Sequence, residues 1–351
     1  MKKIALLLIS ISFLHLSLVS TGAQESYTLN LVGRLNTGIT YDVHVEDDTA
    51  YITNNQGVDI LDISEISDPR KISTIRINDG AFGIHVEDDV AYIAGETGLT
   101  ITNVSDPEHP EIIGSFYDGG INRNVRILGS YAFVTDYEDG LEILDISDLS
   151  NPEMVGYIGL RDARGVEVVG DIAYVTIPST GLQVLNISDP ADPKMIKLVT
   201  GTESAESICL HDDLIYLGCY GEGIRIVSTM DPLNPRVVGD FSVGLREASG
   251  VHGDGDLLFV VDQTRGGDVI LLDVSVPEEP RELSRYQNLN AHDVFYDGSF
   301  VYIATVNQGL YILEYALEVE GSSPRNWNYT IPLIAMGILA AVVIVYRVLR
   351  R

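Results

Sequence analysis

The chain has 351 residues, of which 51 are acidic and 22 are basic, so its formal net charge is −29 at pH 7. A hydrophobic fraction of 45% and a charged fraction of 21% are those of a folded protein and exclude a wholly disordered chain. The negative charge excludes a large basic surface for nucleic acid, and two cysteines cannot form a disulfide scaffold.

The first 23 residues read as a secretory signal peptide. Lys2 and Lys3 precede an apolar run over residues 4–19, and small residues follow up to Ala23. This order is typical of a secretory signal and predicts cleavage near Ala23. An uncleaved membrane anchor is the alternative, although the run contains three serines and His15.

The region after residue 23 repeats one unit seven times. Each copy contains a glycine followed by apolar residues, as in GLEILDIS from Gly140. The seven glycines, separated by 41 to 44 residues, are Gly57, Gly98, Gly140, Gly181, Gly223, Gly267 and Gly309. An aromatic residue recurs with the same period, at Tyr51, Tyr92, Phe133, Tyr174, Tyr216, Phe259 and Tyr302. We interpret these aromatic residues as core, because each occupies one fixed place in an apolar strand.

Each unit reads as four short β-strands. The fourth copy shows them as GVEVVG, IAYVTI, GLQVLNI and KMIKLV, separated by turns rich in Gly, Asp and Pro. Four-stranded units that repeat every 40 to 45 residues are typical of propeller blades, so we predict an all-β, seven-bladed β-propeller over residues 24–315. The last unit lacks a fourth strand, whereas residues 29–39 resemble the fourth strands of other copies. We therefore expect this N-terminal strand to pair with the last blade and close the ring.

The repeated third strand, with LEILDIS and LQVLNIS followed by DP and NP turns, resembles the LVIVD-repeat family. The resemblance covers all seven copies, from about residue 29 to 315. It implies a secreted or surface β-propeller and assigns no reaction, since the fold hosts enzymes and binding proteins alike. The fifth copy departs most from the pattern, with VSTM at Val227 to Met230.

The turns of a propeller divide between two faces. Turns after the first and third strands form what we call the acidic face, with clusters such as EDD at Glu46 and at Glu87. These clusters indicate either a structural divalent cation such as calcium or solvated tight turns, and the turns are favoured because no DxDxDG-type loop is present. No other cofactor is predicted. The opposite, outward face carries our ligand-binding candidates, which are Arg123, Arg161, Arg164, Arg246 and His292.

The first strand of each blade is expected to line the central channel. Equivalent positions carry His44, His85, Arg126, Glu167, Cys209, His252 and Phe295. The three histidines are weak candidates for metal ligands, and packed or solvated side chains are the favoured interpretation.

Cys209 is expected opposite about Tyr216, which is too far from Cys219 for a disulfide, so we predict two buried thiols. HExxH, GxSxG and P-loop motifs are absent from the sequence.

The C-terminal segment reads as a membrane anchor. Residues 331–346 carry no charge, and Trp327, Tyr329 and three trailing arginines flank them. We predict a stalk over residues 316–328, a transmembrane helix over 329–347 and a cytoplasmic tail over 348–351. A sorting signal whose tail is removed is the alternative.

The six basic residues at the two ends leave 16 basic against 51 acidic residues over residues 24–320. With the span following the third strand of blade seven, we expect the acidic face to look toward the membrane.

Two functional hypotheses follow. The first is a non-enzymatic module at the cell surface, its propeller monomeric and outside, which binds a protein or glycan through its outward face. The second is an extracellular enzyme of the lactonase, lyase or glycosidase type, with metal or carboxylates at the channel mouth. The sequons at Asn103, Asn186 and Asn328 are open to glycosylation, but the first two occupy a repeated polar position.

Overall fold

The computed structural model describes residues 25–319 apart from positions 79, 118, 243 and 265. Its strands, in chain order, are β1 (Glu25–Leu35), β2 (Val43–Glu46), β3 (Thr49–Asn54), β4 (Gly57–Asp62), β5 (Arg70–Arg76), β6 (Ala81–Glu87), β7 (Val90–Gly95), β8 (Gly98–Asn103), β9 (Glu111–Tyr117), β10 (Asn122–Leu128), β11 (Tyr131–Asp136), β12 (Gly140–Asp145), β13 (Glu153–Gly159), β14 (Val166–Val169), β15 (Ile172–Ile177), β16 (Gly181–Asn186), β17 (Lys194–Val199), β18 (Ala205–His211), β19 (Leu214–Cys219), β20 (Gly223–Ser228), β21 (Arg236–Phe241), β22 (Ala248–Asp254), β23 (Leu257–Asp262), β24 (Val269–Asp273), β25 (Arg281–Tyr286), β26 (Ala291–Tyr296), β27 (Val301–Thr305) and β28 (Gly309–Val319). Residues 27–316 form one compact unit.

The predicted signal peptide and transmembrane helix lie outside the described residues. Within residues 25–319, the structure contains no helix with the length and apolarity needed to cross a bilayer.

The described strands form seven four-stranded sheets, each a blade, which confirms the predicted propeller. Blades one to six take consecutive strands, β2–β5, β6–β9, β10–β13, β14–β17, β18–β21 and β22–β25. Blade seven has the order β1-β28-β27-β26, so the N-terminal strand supplies its missing outer strand, as predicted. The boundaries differ slightly from the prediction: β1 begins at Glu25 and ends at Leu35, and β28 continues to Val319, into the predicted stalk.

The hydrophobic core lies between blades. Each of seven apolar clusters in the described residues combines side chains of two adjacent blades, and Leu29 of β1 belongs to the cluster between blades six and seven. The seven aromatic residues of the second strands are 0% to 6% exposed, which confirms them as core. Burying one such side chain contributes roughly 1.5–3 kcal/mol, so the repeated aromatic position anchors every interblade layer.

Backbone geometry explains why many turns of the acidic face carry aspartate. Asp47, Asp88 and Asp212 adopt positive φ angles of 50°, 52° and 49° in the turns after first strands, a conformation that Asp tolerates better than most residues. At the end of the third strands, Asp or Asn accepts a hydrogen bond from the backbone N–H two residues later, over 2.9–3.0 Å, at Asp62, Asn103, Asp145, Asn186 and Asp273. Asn103 and Asn186 therefore have a structural role shared with the aspartates.

Candidate functional site

One position of the first strand faces the channel in every blade. The residue at this position pairs across the sheet with the buried aromatic residue, as His44↔Tyr51, His85↔Tyr92, Arg126↔Phe133, Glu167↔Tyr174, Cys209↔Tyr216, His252↔Phe259 and Phe295↔Tyr302. The seven residues are thus structurally equivalent, as the repeat alignment predicted.

A second ring of residues surrounds the outward mouth of the channel. The residue three positions earlier in each blade lines the same cavity, and we call these seven residues the mouth ring: Tyr41, Phe82, Arg123, Arg164, Glu206, Ser249 and His292. In five blades this residue is skipped in the strand register, at Phe82, Arg123, Glu206, Ser249 and His292. A bulge of this kind redirects a side chain, and here it turns the extra residue into the channel mouth.

Threonines on the second strands fix the bulges. The hydroxyl of Thr135 accepts the N–H of Asn124 at 3.0 Å and donates to the carbonyl of Arg164, in the next blade, at 2.8 Å. Thr176 repeats the arrangement one blade later, donating to the carbonyl of Glu206 at 3.1 Å. Each hydroxyl therefore ties one blade to the backbone of the mouth residue in the next blade.

Arg123 and Arg164 share an aromatic wall. The guanidinium of Arg123 lies 4.7 Å from the ring centre of Phe82 and 5.7 Å from that of Tyr137. Arg164 lies 5.6 Å from the Tyr137 ring, and Tyr41 packs against Phe82 with ring centres 5.3 Å apart. Cations over aromatic faces are stabilised by the ring quadrupole, so these contacts hold the two guanidinium groups in place.

The two arginines differ in their partners. Arg164 donates from Nε to Asp162 Oδ1 at 2.8 Å. Arg123 has no carboxylate partner in the part of the chain that the structure describes, and its buried Nε makes no hydrogen bond. Burial and the nearby Arg164 lower the pKa of Arg123 from its ordinary value. In the adjacent blade, burial raises the pKa of Glu206, and the charge of Arg164 opposes this rise.

Below the mouth ring the channel holds a cavity of about 400 Å³. Its wall contains an ion pair in which Arg126 donates from Nε and Nη2 to Glu167 Oε1 at 3.2 and 3.1 Å. Burial raises the pKa of Glu167, and Arg126 opposes this rise. Because both side chains are largely withdrawn from water, each needs the other as a charge partner.

The channel histidines are neutral near pH 7. Burial and nearby cationic groups lower the pKa of His44 to about 3, of His85 to about 4 and of His252 to about 4. His252 Nδ1 accepts the backbone N–H of Tyr296 at 2.9 Å, an arrangement that a protonated Nδ1 would break. The histidines therefore contribute polar, uncharged groups to the channel.

A carboxyl pair lies just below the mouth ring. Asp293 is hydrogen-bonded to Asp42, and burial and the charge of Asp42 raise the pKa of Asp293 well above its ordinary value. Asp42 Oδ2 also accepts the backbone N–H of Ile84 at 2.9 Å. The pair thus holds a proton between blades seven and one.

Comparison with known proteins identifies the repeat. The family model of the LVIVD repeat matches residues 37–75, 80–118, 119–158, 160–200 and 290–314. The chain belongs to the LVIVD-repeat family. The matched segments leave out residues 201–289, which contain the divergent fifth copy of this LVIVD-repeat protein.

Solved structures support the fold alone. The β-propeller domain of Myceliophteria thermophila Cps50 (Swd1) is 10% identical, with a TM-score of 0.67, over 82% of the LVIVD-repeat chain and 99% of that domain. The computationally designed Ika8 protein is 7% identical, with a TM-score of 0.60, over 78% of this chain and 83% of that chain. No curated protein is similar enough to the LVIVD-repeat chain to count as a match.

The predicted ligand residues of the LVIVD-repeat propeller divide into two groups. Arg123, Arg164 and His292 belong to the mouth ring and line the cavity. Arg161 and Arg246 are exposed and do not line it; the backbone N–H of Arg246 donates to Asp262. The structure thus brings together three of the five candidates.

The three candidate metal ligands are near one another without forming a ligand set. The rings of His44 and His85 lie 5.6 Å apart, whereas His252 stacks on Phe295 at 4.7 Å. Phe295 also lies 5.2 Å from His44, so it separates two of the candidates. Among the described residues, no group of three His, Cys, Asp or Glu side chains is placed to hold a metal ion.

The two cysteines of the LVIVD-repeat propeller are free and buried, as predicted. Cys209 pairs with Tyr216 and Cys219 pairs with Ala205, which places the thiols at different levels of blade five.

Sequence reasoning missed the other half of the mouth ring. Tyr41, Phe82, Glu206 and Ser249 occupy the same repeat position as Arg123, Arg164 and His292, and aligning that position across all seven copies would have found them.

Proposed function

We propose that this chain is a non-enzymatic interaction module of the cell surface that binds a protein or glycan through the outward mouth of its channel. The observation that carries the proposal is Arg123, a cation without a carboxylate partner among the described residues, held between Phe82 and Tyr137 at the rim of a cavity. In a chain with net charge −29, such a half-buried cation is a recognition group rather than a stabilising ion-pair member.

The proposed location rests on sequence. The predicted signal peptide and C-terminal span would place the propeller outside as a monomer anchored once, with its outward face away from the membrane. Labelling of intact cells with a membrane-impermeant amine reagent should modify the propeller lysines. Labelling that requires permeabilised cells would contradict this location.

Binding through the mouth can be tested with the full-length protein in detergent on arrays of glycans and peptides. The double variant Arg123→Gln with Arg164→Gln should no longer bind the glycans or peptides that the wild-type protein binds, because the mouth then lacks both cations. Arg70→Gln is the matched control, since Arg70 is exposed and pairs with Asp68 on the acidic face. Spots that persist unchanged in the double variant would contradict the proposal.

The second candidate function is an extracellular enzyme acting with carboxylates at the channel mouth. The hydrogen-bonded pair of Asp293 and Asp42 favours it, because a carboxyl group that keeps its proton can act as a general acid. This alternative would be established if the protein hydrolyses or eliminates lactones or glycosides and if Asp293→Asn abolishes that activity while array binding persists.

A further inference from the structure

We propose that the mouth ring binds a small polar monocarboxylate, whose carboxylate meets Arg123 and Arg164 and whose hydroxyl or ammonium donors meet Glu206 in the adjacent blade. This inference rests on the proposed function and names the ligand class of the same site.

The anion site is built before any ligand arrives. Phe82 and Tyr137 flank the Arg123 guanidinium, at 4.7 and 5.7 Å, and its Nε is buried. The terminal nitrogens therefore remain for a ligand, and a guanidinium fork matches the two oxygens of a carboxylate. Arg164 stands beside the same Tyr137 ring at 5.6 Å and adds a second cation. Little side-chain freedom remains to be lost on binding, which favours affinity.

The charges around the mouth select one negative charge. Arg164 is already paired with Asp162 at 2.8 Å, whereas Arg123 has no ion-pair partner among the described residues. Glu206 and Asp42 line the same cavity. A dianion such as phosphate would bring a second negative charge toward these carboxylates. A carboxylate monoanion supplies one counter-charge to Arg123 beside the already paired Arg164, and salt at physiological strength screens the remaining acidic surface beyond about 8 Å.

Glu206, in the blade next to that of Arg164, favours hydrogen-bond donors on the same ligand. Glu206 lines both the channel cavity and an adjoining cavity of about 230 Å³ that also contains Glu247 and Tyr220. Carboxylate oxygens are acceptors only, so they bind hydroxyl or ammonium groups. The channel cavity of about 400 Å³ has room for a ligand of monosaccharide or amino-acid size. Acidic sugars and amino acids share the required chemistry.

Titration calorimetry on the full-length protein compares two acids with counterparts that are neutral at the carboxyl position: D-glucuronate with D-glucose, and L-alanine with L-alaninamide, which keeps its ammonium charge. We expect at least one acid to bind, and its neutral counterpart to bind about tenfold or more weakly because the charge-assisted hydrogen bonds are missing. Arg123→Gln should weaken that acid about 10- to 100-fold, and Arg70→Gln should leave it unchanged. The comparison of acid with neutral compound uses wild-type protein, so it remains decisive if Arg123→Gln does not fold.

A further variant separates the two ligand sources. Glu206→Gln should weaken L-alanine more than D-glucuronate, because an ammonium group loses a charge partner while a hydroxyl group keeps an acceptor. Equal binding of acid and neutral compound, full binding by folded Arg123→Gln, or binding of neither acid would overturn the proposal. If neither acid binds but the arrays show spots that depend on Arg123 and Arg164, the interaction module stands and the ligand class falls. If the protein also binds nothing on the arrays, the interaction module and the ligand class are both contradicted.

Discussion

Gly33→Ala tests the closure of the ring by the N-terminal strand. A Cβ at Gly33 would lie 1.9 Å from the carbonyl oxygen of Ile66, in blade one. Gly156, in the fourth strand of blade three, has the same relation to the next blade, with a Cβ 2.1 Å from the carbonyl oxygen of Pro190. In both places the outer strand of one blade meets the loop after the third strand of the next. The contact at Gly33 forms only when β1 completes blade seven.

The expected cost follows from these distances. A Cβ and a carbonyl oxygen require more than 3 Å, so the backbone at Gly33 must move by over 1 Å. Strain of this kind costs about 1–3 kcal/mol, which lowers the melting temperature by roughly 2 °C or more per kcal/mol in a large domain. We expect Gly33→Ala and Gly156→Ala to lower it by similar amounts, measured by circular dichroism. Gly159→Ala is the matched control, because its Cβ meets nothing within 4 Å. A melting temperature of Gly33→Ala equal to that of the control would refute closure by β1.

The remaining predictions concern the channel and the thiols. The folded pKa of His252, about 4, lies below its unfolded value of 6.5, so the stability that its neutral form contributes is present above pH 6.5 and is lost as the pH falls toward 4. His252→Gln should therefore reduce the loss of unfolding free energy between pH 7 and pH 5, followed by urea titration, by up to about 2 kcal/mol. Arg126→Leu should lower the unfolding free energy by about 3–5 kcal/mol, because Glu167 is left without its counter-ion, and adding Glu167→Leu should restore most of the loss. Burial raises the pKa of Cys209 to about 12, so Cys209 and Cys219 should both be alkylated only after unfolding under non-reducing conditions.

Each of these has an outcome that would contradict it. Identical pH profiles for the wild type and His252→Gln would mean that the imidazole is not held neutral by its surroundings. A double variant as unstable as Arg126→Leu would show that packing, rather than the lost ion pair, dominates that site. Two cysteines that resist alkylation in the unfolded, unreduced protein would indicate a disulfide.

The period of the repeat made the fold predictable. Its four-strand pattern fixed the register closely enough to place Cys209 opposite Tyr216, which the structure confirms. The missing fourth strand of blade seven and its counterpart near the N-terminus were visible as sequence similarity. The end of β1 at Leu35 was placed too late in the sequence, although Asn36 and Gly38 form a turn directly after it, with the Gly38 N–H donating to Asn36 Oδ1 at 3.1 Å.

The mouth ring was only partly predictable, because its geometry depends on bulges. Simple alternation along a strand places Arg123 on the face opposite to Arg126, away from the channel. The skipped register at Arg123 reverses that direction, and a hydroxyl on the neighbouring strand, Thr135, maintains it. The pair of Asp42 and Asp293 was also hidden, because residues 251 positions apart meet only once blade seven lies beside blade one.

The central claim is that the outward mouth, rather than the acidic face, is the binding surface. Photo-crosslinking on intact cells tests it most directly, with benzoylphenylalanine introduced at Phe82 in the mouth ring or at Val276, which is 50% exposed in a turn of the acidic face. We predict that the full-length chain forms a discrete crosslinked species from position 82 and none from position 276. Crosslinks from position 276 alone would contradict the account.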